Sequence, residues 1–247
     1  MANLGRMDIK ETFLSVIVPV FNESGRIHNA SSIADYLNRQ DFSSELVIVD
    51  DGSTDNTLEI VQNSPSNPNR SIISYKPNRG KGHAIKVGML TSRGKYRLFT
   101  DIDLSTPMKE FHKFLPHLEG NDVIIGSRRI EGARVLRHQS TVRESLGRGF
   151  TCLSNLTLKL TASDFTCGFK CFSRSAAEKI FPKMTIDRWG FDSEILYIAK
   201  KQGLSVKEIP VNWENDPHTK VRFPHDLIRS FLDLVEIRYN DLQKKYD

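Results

Sequence analysis

The chain has 247 residues, 38% of them hydrophobic and 26% charged, with a formal net charge of +5. That balance excludes a fibrous or disordered chain and supplies enough apolar material for one sizeable core. No stretch approaches the roughly 20 apolar residues that span a bilayer, Met1 to Thr12 lacks the apolar centre of a signal peptide, and Cys152, Cys167 and Cys171 match neither a disulfide framework nor zinc-ligand spacing, so a reduced, cytosolic setting is expected.

Leu14 to Val20 is an apolar run rich in β-branched residues, short enough for a strand buried on both faces. Ile27, Ala30, Ile33, Ala34 and Leu37 then form a stripe of helical period. Leu46 to Val49, Ile72 to Tyr75, Tyr96 to Thr100 and Val123 to Ile125 read as further strands, and Met108, Phe111, Leu115 and Leu118 as a second helical stripe. This alternation, holding through about residue 126, predicts an α/β fold with an open, mostly parallel sheet flanked by helices. Ligands of such sheets bind outside the carboxyl ends of the strands, so the residues just after each apolar run are the ones to examine.

The second half has a different texture. Val142 to Leu160 is helical in period, with Val142, Leu146, Phe150, Leu153 and Leu160 on one side, and Leu227, Phe231, Val235 and Leu242 make another stripe. Each stripe suits either core packing or a helix lying in a membrane interface. Arg128, Arg129, Arg134, Arg137, Arg143 and Arg148 crowd one segment, which should attract phosphates or an anionic membrane surface. Those arginines lack interleaved aromatics and no recognisable module surrounds them, so nucleic-acid binding is disfavoured. The expected organisation is a tail over 1–12, a catalytic domain over 13–222 and a C-terminal amphipathic helix over 223–247.

Two acidic clusters reach the same sheet edge: Asp50 and Asp51 after the second strand, Asp101 and Asp103 after the fourth. Carboxylates so placed repel unless a cation or a hydroxyl-rich ligand joins them, and Mg²⁺ or Mn²⁺ favours such oxygens while gripping a diphosphate. Asp50 and Asp51 read equally well as a helix cap before Asn56 to Gln62. The loop Asn78 to Gly82 is basic and flexible, suited to a phosphate or base at a helix N-terminus, but it does not match a P-loop.

Taken in order, Val-Pro-Val-Phe-Asn-Glu (18–23), Val-Asp-Asp-Gly-Ser-Thr-Asp (49–55), Asn-Arg-Gly-Lys-Gly (78–82), Thr-Asp-Ile-Asp-Leu-Ser-Thr-Pro (100–107) and Gly-Ser-Arg (126–128) resemble glycosyltransferase family 2, with its GT-A fold. Cys-Gly-Phe-Lys-Cys-Phe (167–172), Trp-Gly-Phe-Asp-Ser-Glu-Ile-Leu (189–196) and Glu-Ile-Pro-Val-Asn-Trp (208–213) are similar to the later motifs of its dolichyl-phosphate β-glucosyltransferase subgroup. The resemblance spans roughly residues 13 to 238.

It implies that Pro19, Phe21, Glu23, Asp51 and Lys81 surround the nucleoside, with Asp50 and Ile102 in the same donor-binding set. Asp101 would contact the nucleotide and join Asp103 at the metal, Mg²⁺ or Mn²⁺, while Arg128 and Lys220 would meet the acceptor phosphate or the donor diphosphate. Two positions depart from the mannosyl-transferring members: Ser105 stands where those often have Gln, and Glu214 where they carry Arg. The implied reaction is inverting transfer of glucose from UDP-glucose to a polyprenyl phosphate, on the cytoplasmic face of a membrane. GDP-mannose as donor, or a sugar hydroxyl as acceptor, are the alternatives; the second would need Asp192 or Glu194 as a base. Of the seven histidines only His218 lies in a motif-like stretch. Arg143 and Arg148, with Leu146, Phe150 and Leu153, could seat the enzyme on the bilayer. The sequence leaves the oligomeric state open.

Overall fold

The structure, a computed structural model, describes residues 11–64, 69–217 and 225–247. Seven strands form one sheet: β1 (Leu14–Val20), β2 (Ser44–Asp50), β3 (Arg70–Ser74), β4 (Tyr96–Thr100), β5 (Val123–Ser127), β7 (Phe169–Ser173) and β8 (Val206–Pro210). Their spatial order is β3-β2-β1-β4-β7-β5-β8, and a second ribbon pairs β6 (Arg134–Arg137) with β9 (Asn212–Glu214). Every neighbouring pair in the large sheet is parallel except those made by β7, which runs antiparallel between β4 and β5. That reversal turns the start of β7 toward the edge where the parallel strands end.

Residue alternation along the strands builds two cores. Leu14, Val16 and Val18 of β1, with Leu46 and Ile48 of β2, pack beneath α1 (Asn29–Asn38) and α2 (Thr57–Asn63). Ile17, Val47, Val49 and Phe99 face the opposite layer, made by α3 (Lys81–Thr91), α4 (Thr141–Leu158), α5 (Arg174–Ile180), α6 (Phe191–Lys201) and α7 (His225–Leu242). The stripe expected as a helix at Met108 is two 3₁₀ turns, Met108–Lys113 and Leu115–His117. Pro116 lacks an amide hydrogen and disfavours a helical conformation at the residue before it, which keeps the segment short; Met108, Phe111 and Leu118 of the expected stripe are buried, Leu115 is half-buried, and Phe114, outside the stripe, is fully buried.

The two amphipathic stretches of the second half divide between core and surface. Phe150 of α4 is buried, its ring 5.9 Å from Phe231 of α7, so it does not reach out toward a membrane. Leu234, Ile237 and Tyr246 enter the same core as the sheet, while Val235 and Leu242, placed on one stripe with Phe231 by the sequence, point outward. Leu227 has no described side chain. Among the described residues no helix is long and apolar enough to cross a membrane.

The packing of α4 on α7 sets a stability test. Phe150→Ala should cost about 3–5 kcal/mol in chemical denaturation, whereas Leu156→Ala, on the exposed side of the same helix, should stay within about 0.5 kcal/mol.

Candidate active site

The carboxyl ends of β1 and β2 lie side by side, Val20 opposite Asp50. Asp50 is completely buried: one carboxylate oxygen accepts from the Ser53 amide at 3.1 Å and the other from the Ser74 hydroxyl at 2.8 Å. It therefore closes the turn and ties β2 to β3, and does not face the cleft as the donor-binding expectation has it. Asp51 accepts from the backbone amides of Arg79 (2.8 Å) and Gly80 (2.7 Å) and from Asn78 Nδ2 (2.7 Å). One side chain thus fixes the whole basic loop. Gly80, at φ +121°, has no room for a Cβ, which would sit 2.5 Å from the Asp187 carbonyl. Neither acid caps α2: its N-cap is Asn56, which makes no side-chain capping bond, and Asp55 just ahead of it accepts from the Thr57 amide at 3.0 Å. Burial opposes its ionisation, but bonds from Thr57 and Ser24 outweigh it and hold the pKa at about 2.

Pro19 and Phe21 are half-buried at the end of β1. Glu23 accepts from one edge of the Arg26 guanidinium, Nε at 2.8 Å and Nη2 at 2.9 Å, while Nη1 reaches Asp216 at 2.6 Å, drawing the segment after β9 over this edge.

β4 delivers the centre of the site. Lys81, the first residue of α3, places its ammonium 2.6 Å from Asp101 and 5.7 Å from the centre of the Trp189 ring. Burial works against the Lys81 charge, yet Asp101 and then Asp192 outweigh it and its pKa is raised. Ile102 turns its side chain into the core and its carbonyl accepts from Asn29, so Asp101 and Asp103 are the members of the trio that present side chains to the cleft. Burial and the neighbouring Asp101 carboxylate push the Asp103 pKa up. The Ser105 amide donates to Asp103 at 2.9 Å, and the Ser105 carbonyl accepts from Glu214.

Because β7 is antiparallel, its first residues meet these carboxylates. A Cβ on Gly168 would lie 2.1 Å from Asp101 Oδ2, so only glycine admits that carboxylate. Asp164, fully buried just upstream, clamps Arg128 after β5: Nε donates at 2.6 Å, Nη2 at 2.7 Å and the Arg128 amide at 3.1 Å. Thr166 takes a further bond from Nη2 at 2.8 Å, and the Trp213 ring lies 5.1 Å from the guanidinium. Burial pushes the Asp164 pKa up, but the charge and hydrogen bonds of Arg128 outweigh it and bring it down to about 2. The sequence reading named Arg128 and missed Asp164; an acidic residue just ahead of the Cys-Gly-Phe-Lys motif was the only signal for it.

Lys170 of β7 is also fully buried, donating to the Cys167 carbonyl at 2.8 Å and ion-paired to Asp192 in the first turn of α6. Asp192 thus joins the cluster through a partner of its own. Glu194 does not: its oxygens accept from the Thr185 amide (2.9 Å) and hydroxyl (2.6 Å), the Ile186 amide (2.9 Å) and the Tyr246 hydroxyl (2.7 Å). It is a structural carboxylate and is not placed to act as a base. Gly190, which starts α6, donates its amide to Asp233 of α7 at 3.1 Å. Lys220 and His218 lie outside the described residues.

The donor set suits a hard divalent cation. Asp101 and Asp103 offer oxygens, and the burial of Asp103 and its repulsion from Asp101, which both disfavour its charge, are what a cation offsets. Among the described residues no group of three or more His, Cys, Asp or Glu could hold a metal alone, so a diphosphate and water would have to complete the coordination.

Two outcomes follow from these contacts. Gly168→Ala should displace the Asp101 carboxylate and lower turnover on the order of 100-fold while far-ultraviolet circular dichroism stays native. The Asp164 pKa of about 2 lies below the unfolded value of about 3.9, so the pair contributes about 2–3 kcal/mol above pH 4 that is lost as pH falls toward 2. Comparing denaturation of the parent and Asp164→Asn between pH 5 and 2.5 should show this difference shrinking with acid.

Comparison with known proteins agrees with this layout. A dolichyl-phosphate beta-glucosyltransferase of Dictyostelium discoideum is 37% identical over 250 residues, covering 95% of this chain and 76% of that protein. A second of that description from Saccharomyces cerevisiae is 35% identical over 252 residues, covering 94% of this chain and 75% of that one. Among solved structures, glucosyl-3-phosphoglycerate synthase from Mycobacterium tuberculosis, in complex with Mn²⁺, uridine diphosphate and glucosyl-3-phosphoglycerate, superposes with a TM-score of 0.63 at 20% identity, covering 92% of this chain and 78% of that chain. It shares the fold, the GT-A type that the sequence motifs implied. The family described as Glycosyl transferase family 2 matches residues 15–181, and the chain belongs to it.

Proposed function

We propose that this chain transfers glucose from UDP-glucose to a polyprenyl phosphate of the dolichyl type, with a divalent cation, at the surface of a membrane. One observation carries the reading: a guanidinium, Arg128, fixed by a buried carboxylate next to the Lys81–Asp101–Asp103 cluster. A rigid cation beside a diphosphate site suits an acceptor that arrives as an anion. The names of the Dictyostelium and yeast relatives support the same acceptor and sugar.

In this mechanism Asp51 and the loop it holds receive the nucleoside side of the donor, and Asp101 and Asp103 would hold Mg²⁺ or Mn²⁺, which would supply positive charge beside the leaving diphosphate. The metal, when bound, neutralises charge on the leaving group. Lys81 holds the Asp101 carboxylate in place through their ion pair. Arg128 steers the acceptor phosphate, whose oxygen attacks the anomeric carbon as the nucleoside diphosphate departs from the opposite side, inverting the linkage. A phosphate monoester is ionised near neutral pH and needs no strong base. The geometry favours this over a hydroxyl acceptor, because Glu194 is committed to the Thr185 turn and Asp192 is ion-paired with Lys170.

Leu136, Val142, Leu153 and Leu156 are exposed, and the exposed Arg134, Arg137 and Arg148 belong to the same β6–α4 stretch. We assign this stretch to contact with anionic lipid, which would bring Arg128 to the headgroup level on the cytoplasmic side. It replaces the seat expected from Phe150.

The test is turnover by purified protein with Mg²⁺ and a short-chain polyprenyl phosphate, offered UDP-glucose, UDP-N-acetylglucosamine and GDP-mannose separately. Lipid-linked glucose should form from UDP-glucose alone, and Asp103→Ala should reduce kcat by about 10²–10³. The rate should rise through about pH 6 with the second ionisation of the phosphate and then stay level to about pH 9. A bell-shaped profile with a sugar hydroxyl as the only acceptor would overturn the assignment.

A further inference from the structure

On α7, Ile228, Leu232, Val235, Tyr239 and Leu242 are between 56% and 74% exposed. They succeed one another by four, three, four and three residues. This is the about 3.5-residue period of a seam on which another helix packs knobs into holes, along an 18-residue helix about 27 Å long. The opposite side of α7 is fully used: Asp233, Leu234, Ile237 and Asn240 are buried against the body of the protein. Among the described residues nothing covers the seam.

What borders the seam decides its partner. A helix that lies in an anionic membrane carries Lys and Arg along a broad polar face. Here the border is mixed, with Arg229, which is bound to Asp233 and lies 3.6 Å from Glu236 of the same helix, on one side and Arg238, which is bound to Asp241 and Tyr197, on the other. Treating Ile228, Val235 and Leu242 as the d positions and Leu232 and Tyr239 as the a positions puts Arg229 and Glu236 at successive e positions. When two such helices run antiparallel, a residues meet d residues and e positions face e positions, so Leu232 would lie against the partner's Val235 and Arg229 opposite the partner's Glu236, twice by symmetry. A parallel pair would set Glu236 against Phe231, which is engaged with Phe150.

We propose that the α7 seam is a self-association surface, on which a second copy of this chain packs with α7 antiparallel, leaving the cleft at the sheet edge to each copy. The seam is short, so the dimer is expected to be concentration-dependent.

Sedimentation velocity of the detergent-free protein should show monomer and dimer exchanging between about 1 and 100 µM. The double variant Leu232→Glu with Val235→Glu, both at exposed positions, should remain folded by circular dichroism and raise the dissociation constant at least about 30-fold. Register is read by cross-linking in a Cys152→Ser background. Mixing Leu232→Cys and Val235→Cys proteins under mild oxidation should give more of the mixed disulfide than either protein gives with itself. A chain monomeric at about 100 µM overturns the proposal, as does a double variant that dimerises unchanged. Cross-linking strongest between two Leu232→Cys chains overturns the antiparallel arrangement. Loss of binding to phosphatidylserine vesicles in the double variant, with the parent monomeric throughout, reassigns the seam to lipid.

Discussion

Asp101, Asp103, Asp164 and Asp192 converge on one end of the sheet, and like charges gathered in a partly dry setting repel strongly unless cations sit among them. The arrangement answers this with three fixed partners: Lys81 on Asp101, Arg128 on Asp164 and Lys170 on Asp192. Asp103 is left with a backbone amide and a raised pKa. The residual negative charge is thus localised beside Asp101, where a divalent cation with a diphosphate brings the balance toward neutrality. The site is prepared for a charged donor without holding a large surplus of its own.

The antiparallel strand makes that arrangement possible. A wholly parallel sheet would bring only strand ends and the starts of helices to this edge. By inserting β7 in the opposite sense between β4 and β5, the chain brings Asp164, Gly168 and Lys170 up to carboxylates and a guanidinium carried by other elements. Behind them, Glu194 and Asp233 use backbone amides of the 185–190 segment to fix the wall that holds Trp189 and Asp187 against the donor loop. The C-terminal helix is therefore joined to the cleft by hydrogen bonds as well as by packing.

Much of this was legible in the residue pattern. The runs at Leu14, Leu46, Tyr96 and Val123 became strands because β-branched and aromatic residues packed on both faces leave few other options, and the acids after them lie at the sheet edge. What the pattern hid were interactions between segments distant in sequence. Phe169 to Ser173 is as long as β4 but is interrupted by Lys170, whose burial depends on a partner 22 residues away. Asp50 and Asp51 look alike in sequence, yet one faces the sheet interior and the other the loop, a distinction set by the turn at Gly52. Phe231 and Val235 share a stripe by period, but α4 covers one and leaves the other to solvent.

The closeness of Gly168 to Asp101 also links two positions 67 residues apart in the inheritance of the family. A side chain at 168 pushes the Asp101 carboxylate out of its place, so the two should change together or stay fixed together. Descendants that have abandoned the chemistry should betray themselves at position 168, which has no side chain of its own, as readily as at the aspartate itself.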